Sequence, residues 1–108
     1  MNVAEVLKAE HMDLNLVAKS KKEALEKLTE LLYNSGKLSD KDAFLKDVLD
    51  RESVSTTGIG NGIAIPHGKS PSVIETTVAI GRLENETEWE SVDDQPVKLV
   101  VLLAVNDA

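Results

Sequence analysis

The stretch Val97-Lys98-Leu99-Val100-Val101-Leu102-Leu103-Ala104-Val105 decides the fold. It is the most apolar run in the chain, and only Lys98 interrupts it. A run that is uniformly apolar rather than alternating reads as a central strand covered on both faces. Working outward, Thr77-Val78-Ala79-Ile80-Gly81-Arg82-Leu83 reads as a second strand. Ile63-Ala64-Ile65 reads as a very short buried one, closed by Pro66. Met12, Leu14 and Leu16 alternate with polar residues and predict a half-buried strand near the start.

Two helices lie between the first strand and the rest. Ser20-Lys21-Lys22-Glu23 has capping-box spacing, with a hydroxyl at the cap and a carboxylate three residues on. Ala24, Leu25, Leu28, Leu31 and Leu32 then form an apolar stripe at helical spacing, and Gly36 suits the left-handed residue past the end. The spacing predicts a helix from about Lys21 to Ser35. Ser39 starts a second helix, with Asp40 and Asp42 in the first turn, where the helix dipole favours acids. Phe44, Leu45, Val48 and Leu49 are its buried stripe, and it is expected to end near Arg51.

The order is therefore strand, helix, helix, then three strands. That is an α/β domain with a mixed β-sheet and flanking helices. A length of 108 residues suits a single domain, 1–108, with one core. Two helices cover one face of the sheet and nothing in the sequence covers the other. The expectation is a C-terminally truncated domain, or an oligomer partner on the open face.

Composition narrows the function. There is no Cys, which excludes disulfides, thiolate metal sites and cysteine nucleophiles; with only His11 and His67, a His-rich metal cluster is excluded too. The net charge is -7 and the pI about 4.7, a poor match to a phosphate backbone and a better one to a basic protein partner. No run approaches the roughly 18 apolar residues of a membrane helix. Met1-Asn2-Val3-Ala4-Glu5 lacks the basic and apolar regions of a signal peptide, so a cytoplasmic location is expected.

The candidate site is Thr57-Gly58-Ile59-Gly60-Asn61-Gly62-Ile63-Ala64-Ile65-Pro66-His67-Gly68. Four of the six glycines lie in it. It lacks the Gly-Lys-Ser/Thr of a phosphate loop and the helix that follows a dinucleotide fingerprint. What remains is a histidine held at the end of a short strand. Pro66 fixes the backbone before it, and Gly68 leaves space after it for a partner or a phosphate. A neutral imidazole is a nucleophile near pH 7 and can accept a phosphoryl group and pass it on. Its phosphoryl oxygens need donors; Arg51, Thr56, Thr57 and the glycine amides are at hand. On spacing alone a single loop histidine is more often a surface or capping residue than a nucleophile, Arg51 more often a dipole partner, and the threonines more often turn formers.

The string Arg51-Glu52, Thr57-Gly58-Ile59-Gly60 and Gly62-Ile63-Ala64-Ile65-Pro66-His67-Gly68 resembles the enzyme IIA domain of the bacterial phosphoenolpyruvate-dependent sugar phosphotransferase system, fructose/mannitol class. Val92-Asp93-Asp94-Gln95-Pro96-Val97-Lys98-Leu99-Val100 is similar to it as well. The resemblance implies a three-layer α/β/α sandwich whose C-terminal helices this sequence lacks. It implies that His67 is phosphorylated, at Nε2, by the phosphocarrier HPr and passes the group to enzyme IIB, with no cofactor. Arg51 matches the arginine near the phosphoryl group, and Thr57 and Gly68 are further candidates for holding it. A second active-site histidine follows the last strand in the family, at a position this sequence does not contain. The domain either serves sugar uptake, alone or attached to a membrane transporter, or belongs to the nitrogen-related and regulator-fused branch, in which phosphorylation of His67 switches a protein contact. The sugar and the oligomeric state are not encoded here. Among the remaining features, His11 is expected at the surface and Trp89 in the core. Glu84, Glu86, Glu88 and Glu90 read as a solvated acidic face.

Overall fold

The computed structural model describes residues 11–54, 57–87, 89 and 95–107. Thr56, Val92, Asp93, Asp94, Glu88, Glu90 and the first ten residues lie outside the described residues. The elements are β1 (Met12–Leu16), α1 (Lys21–Asn34), α2 (Lys41–Val54), β2 (Gly58–Gly60), β3 (Ile63–Ala64), β4 (His67–Ser70), β5 (Thr77–Thr87) and β6 (Val97–Asn106).

The first helix forms as its sequence dictates. Ser20 caps it by accepting from the Glu23 amide at 3.1 Å, and Gly36 turns the chain at φ 80°. The cap of α2 is Asp40 rather than Ser39: its carboxylate accepts from the Ala43 amide at 3.0 Å. Ser39 instead donates its backbone N–H to the Ser72 carbonyl at 2.8 Å. The helix also runs past Arg51 to Val54, because no proline or glycine stops it there.

The sheet is mixed, with the path β1-β5-β6-β3-β2 and β4 also paired with β6. β6 is central as expected: β5 runs antiparallel along one side, β3 and β4 parallel along the other. β3 and β4 hold the same register on β6, Ile63 opposite Leu99 and His67 opposite Leu103. They are in effect one strand broken at Ile65-Pro66. The break leaves no orphaned donor, since Ile65 N–H reaches the Thr57 carbonyl at 3.0 Å, Pro66 has no N–H, and the Pro66 carbonyl accepts from Leu103 at 2.9 Å. β5 continues to Thr87, four residues beyond the expected Leu83.

Covering on both faces is not observed. Val100, Leu102 and Ala104 of β6 are fully buried, in one core with Leu16, Leu25, Leu28, Leu32, Phe44 and Val48. Leu99, Val101, Leu103 and Val105 on the opposite face are only half-buried. Both helices serve one face, so among the described residues the other stays open.

Candidate functional site

The same alternation places the histidine. Ala64, Pro66, Gly68 and Ser70 are buried, whereas Ile63, Ile65 and His67 are half-buried and Lys69 is exposed. His67 therefore heads β4 on the open face, and the strand it was expected to terminate resumes with it. Its Nδ1 is buried and has no hydrogen-bond partner. That leaves Nε2 as the ring nitrogen a partner can reach.

Gly68 lies on the helical face. A Cβ there would sit 2.4 Å from Phe44 Cε1 and 2.6 Å from Val48 Cγ2. The space beside this glycine is thus filled by α2 and is not open to a partner, contrary to the expectation. Its missing side chain lets the helix seat closely against the strand that carries His67.

Between the helices and His67 runs a tight glycine turn. Gly60, Asn61 and Gly62 all have positive φ, at 98°, 58° and 77°. The Gly62 carbonyl accepts from both Lys98 and Leu99, at 2.8 and 2.9 Å. The turn joins β2 to β3, with Gly58 opposite Ala64, so it is a short hairpin pinned to the central strand.

Thr57 enters this hairpin and is almost wholly buried, 4% exposed. Its hydroxyl donates to Glu52 Oε1. The proton expected to serve a phosphoryl oxygen is therefore already committed. Glu52 is a site residue that sequence reasoning assigned no chemistry. Its side chain turns inward from the last turn of α2 and its Oε2 faces Lys21 Nζ at 2.5 Å. No well-angled hydrogen bond reaches Oε2, so charge pairing with the ammonium balances it. The same ammonium lies 5.2 Å from the ring centre of Trp89, which is buried as expected. The available signal was position: an acid in the last turn of a helix opposes the dipole and needs another reason to be there.

Arg51, the neighbour of Glu52, is half-exposed in that last turn. Since α2 packs against β4, Arg51 and His67 sit on adjoining elements. Arg82, the other arginine, belongs elsewhere: its Nε donates to the Leu14 carbonyl at 3.0 Å, where the register of β1 on β5 shifts. His11 is not at the surface. It is fully buried, with Nε2 2.8 Å from Ser35 Oγ and Nδ1 3.3 Å from Thr77 Oγ1. Glu84 is exposed on β5. Among the described residues no three His, Asp or Glu side chains gather as a metal ion requires, and no helix is long and apolar enough to cross a membrane.

Residues 5–108 match the family model described as "Phosphoenolpyruvate-dependent sugar phosphotransferase system, EIIA 2". The chain is 40% identical over 107 residues to the PTS system fructose-specific EIIABC component of Bacillus subtilis, covering 99% of this chain and 17% of that protein. Its structure is similar to that of the nitrogen regulatory protein IIA-Ntr from Neisseria meningitidis, with a TM-score of 0.89 and 31% identity, over 98% of this chain and 72% of that one. It is also similar to the Escherichia coli enzyme IIA for mannitol solved in complex with phosphorylated enzyme IIB, with a TM-score of 0.79 and 27% identity, over 94% and 71%.

Proposed function

The chain belongs to the EIIA 2 family of the phosphoenolpyruvate-dependent sugar phosphotransferase system, and from that membership we propose that it is a phosphocarrier whose acceptor atom is Nε2 of His67. The observation that carries this reading is the asymmetry of the ring: Nδ1 of the half-buried His67 is enclosed at the head of β4 without a hydrogen-bond partner, which leaves Nε2 for an incoming group. With the proton on Nδ1, the Nε2 lone pair attacks phosphorus. The bond between phosphorus and the donor's leaving group breaks, and its electron pair departs with the donor. Such transfer is mostly positioning plus electrostatics. Arg51 supplies the cationic charge for the phosphoryl oxygens, and the peptide N–H of Thr57 is the further donor this reading offers; the N–H of Gly68 serves the β4–β6 ladder instead.

HPr is the donor and enzyme IIB the recipient in this proposal. The mannitol relative caught in complex with phosphorylated enzyme IIB supports the recipient. The acidic balance of the chain suits a basic donor protein. A second reading has its own support: the likeness to IIA-Ntr, at a TM-score of 0.89, favours a regulatory domain in which the state of His67 switches a protein contact. Both readings need the same acceptor.

The test is intact mass after incubation with phosphoenolpyruvate, enzyme I and HPr, beside His67→Ala. One acid-labile phosphoryl adduct, absent from the variant, is expected. An adduct that survives in His67→Ala would remove the histidine from the reaction. Passage of the label to an enzyme IIB then separates uptake from regulation.

A further inference from the structure

We infer that Glu52 is a positioning residue for His67, acting through Thr57; this rests on the phosphocarrier reading for its kinetic consequence but not for its geometry. The path is short and has no slack. Glu52, its side chain 4% exposed, accepts the Thr57 hydroxyl proton with Oε1. The Thr57 carbonyl accepts from Ile65 N–H at 3.0 Å. One residue separates Ile65 from His67, and that residue is Pro66, whose φ is fixed by its ring. A displacement of Thr57 therefore bears on the backbone two residues before the imidazole.

The carboxylate is itself held from a third element. Lys21, at the start of α1, pairs with Oε2 at 2.5 Å and stacks on Trp89. An acid taken this far out of water is expensive unless paired and hydrogen-bonded on both oxygens. Here Oε1 accepts a hydrogen bond and Oε2 has the charge of Lys21 alone, and these two partners come from separate elements, the hairpin that leads to His67 and α1. Glu52 thus ties the start of α1, the end of α2 and the phosphoryl-accepting segment to one point. Thr57 is the joint in that tie, and its hydroxyl positions rather than binds.

The test uses the full-length protein and single-turnover phosphoryl acceptance at varied concentrations of phosphorylated HPr. Thr57→Val deletes the hydroxyl and keeps the shape and the carbonyl. Its saturating rate should fall about ten- to hundredfold, the range expected for a misplacement near 1 Å, with the half-saturating concentration unchanged. Thr57→Ser should restore the rate. Glu52→Asp, which keeps the charge and shortens the arm, should lower the saturating rate in the same way and serves if the valine variant does not fold. The His67 imidazole resonances should move in Thr57→Val and Glu52→Asp and return in Thr57→Ser. Wild-type saturating rates with unmoved resonances in a folded Thr57→Val or Glu52→Asp would overturn the inference. So would a Thr57→Ser as slow as Thr57→Val. If the unmodified protein takes no phosphoryl group, the phosphocarrier reading fails, and the resonances alone still decide whether Glu52 sets the ring position.

Discussion

A Cβ on Gly68 would lie 2.4 Å from Cε1 of Phe44. Val48 closes the same spot at 2.6 Å. An aromatic ring and a β-branched side chain, both fully buried, have little room to withdraw. Gly68→Ala should therefore cost about 1–3 kcal/mol by overpacking. It should also push β4 off α2 and disturb the residue beside it, His67. A denaturant midpoint reads the first effect and phosphoryl acceptance the second. Pairing the alanine with Phe44→Leu should recover part of the lost stability, because the two sites share one volume.

Gly81 offers the contrast. A Cβ there would meet Leu16 Cδ2 at 2.7 Å and Leu28 Cδ2 at 3.0 Å. These atoms are the ends of flexible side chains, which can change rotamer. The site also lies on β5, across the central strand β6 from β4. Gly81→Ala should destabilise less than Gly68→Ala and leave phosphoryl acceptance unchanged. Equal losses of stability would show that the leucines are as immovable as the ring.

The hairpin before His67 makes a different demand. Gly60 has φ 98°, a conformation that disfavours any side chain. Gly60→Ala should cost on the order of 1–2 kcal/mol from backbone strain alone. Because the turn feeds β3 and then His67, amide exchange in β3 should quicken more than exchange in α1. Uniform quickening would mean that the hairpin does not open separately from the rest.

Much of this fold could be read directly. The first helix announced itself through Ser20, the leucine stripe and Gly36, all local signals. The central place of β6 followed from its unbroken hydrophobicity. The two glycine-rich strands could not be read, because Gly58-Ile59-Gly60 and His67-Gly68-Lys69-Ser70 have no strand propensity of their own. They are strands because β6, or a strand already on it, offers them partners. The site was half legible. The string ending in Pro66-His67 marks the acceptor, but the partner of Thr57 lies back on a helix, and a sequence cannot show which side of Gly68 is filled. His11 was misread for the same reason: burial is a property of what packs over a residue, not of the residue.

Lys41 gives a pH dependence with a definite sign. Its hydrogen bond to Glu30, at 3.0 Å, and the charge of that carboxylate hold its pKa above the usual lysine value. A raised value means the folded state favours the ammonium, so the stabilisation is complete at neutral pH. It disappears as pH rises through the folded-state value. The pair is exposed and the effect small. Lys41→Met should lower the thermal midpoint slightly at pH 7, and the difference should close in strongly alkaline buffer. A difference that persists there would assign the effect to packing of the Lys41 stem near Tyr33 instead.

The second histidine, His11, is buried in the core and bonds to Ser35 and Thr77, outside the elements α2 and β4 that carry the proposed acceptor. Ser35 Oγ donates its one proton to the Leu32 carbonyl at 3.1 Å, so it accepts from His11 Nε2–H. The proton is then on Nε2, and Nδ1 accepts from the Thr77 hydroxyl. His11 thereby joins the C-terminal cap of α1 to the first residue of β5, two elements that pack together in the core. Removing the ring leaves two hydroxyls short of a partner and a hole in a fully buried site. His11→Ala should cost about 2–4 kcal/mol. His11→Gln, which can keep the bond to Ser35, should cost less. Neither should prevent His67 from accepting a phosphoryl group in the fraction that stays folded. Labelling of His11→Ala that falls below its folded fraction would show that the two histidines are coupled through the sheet.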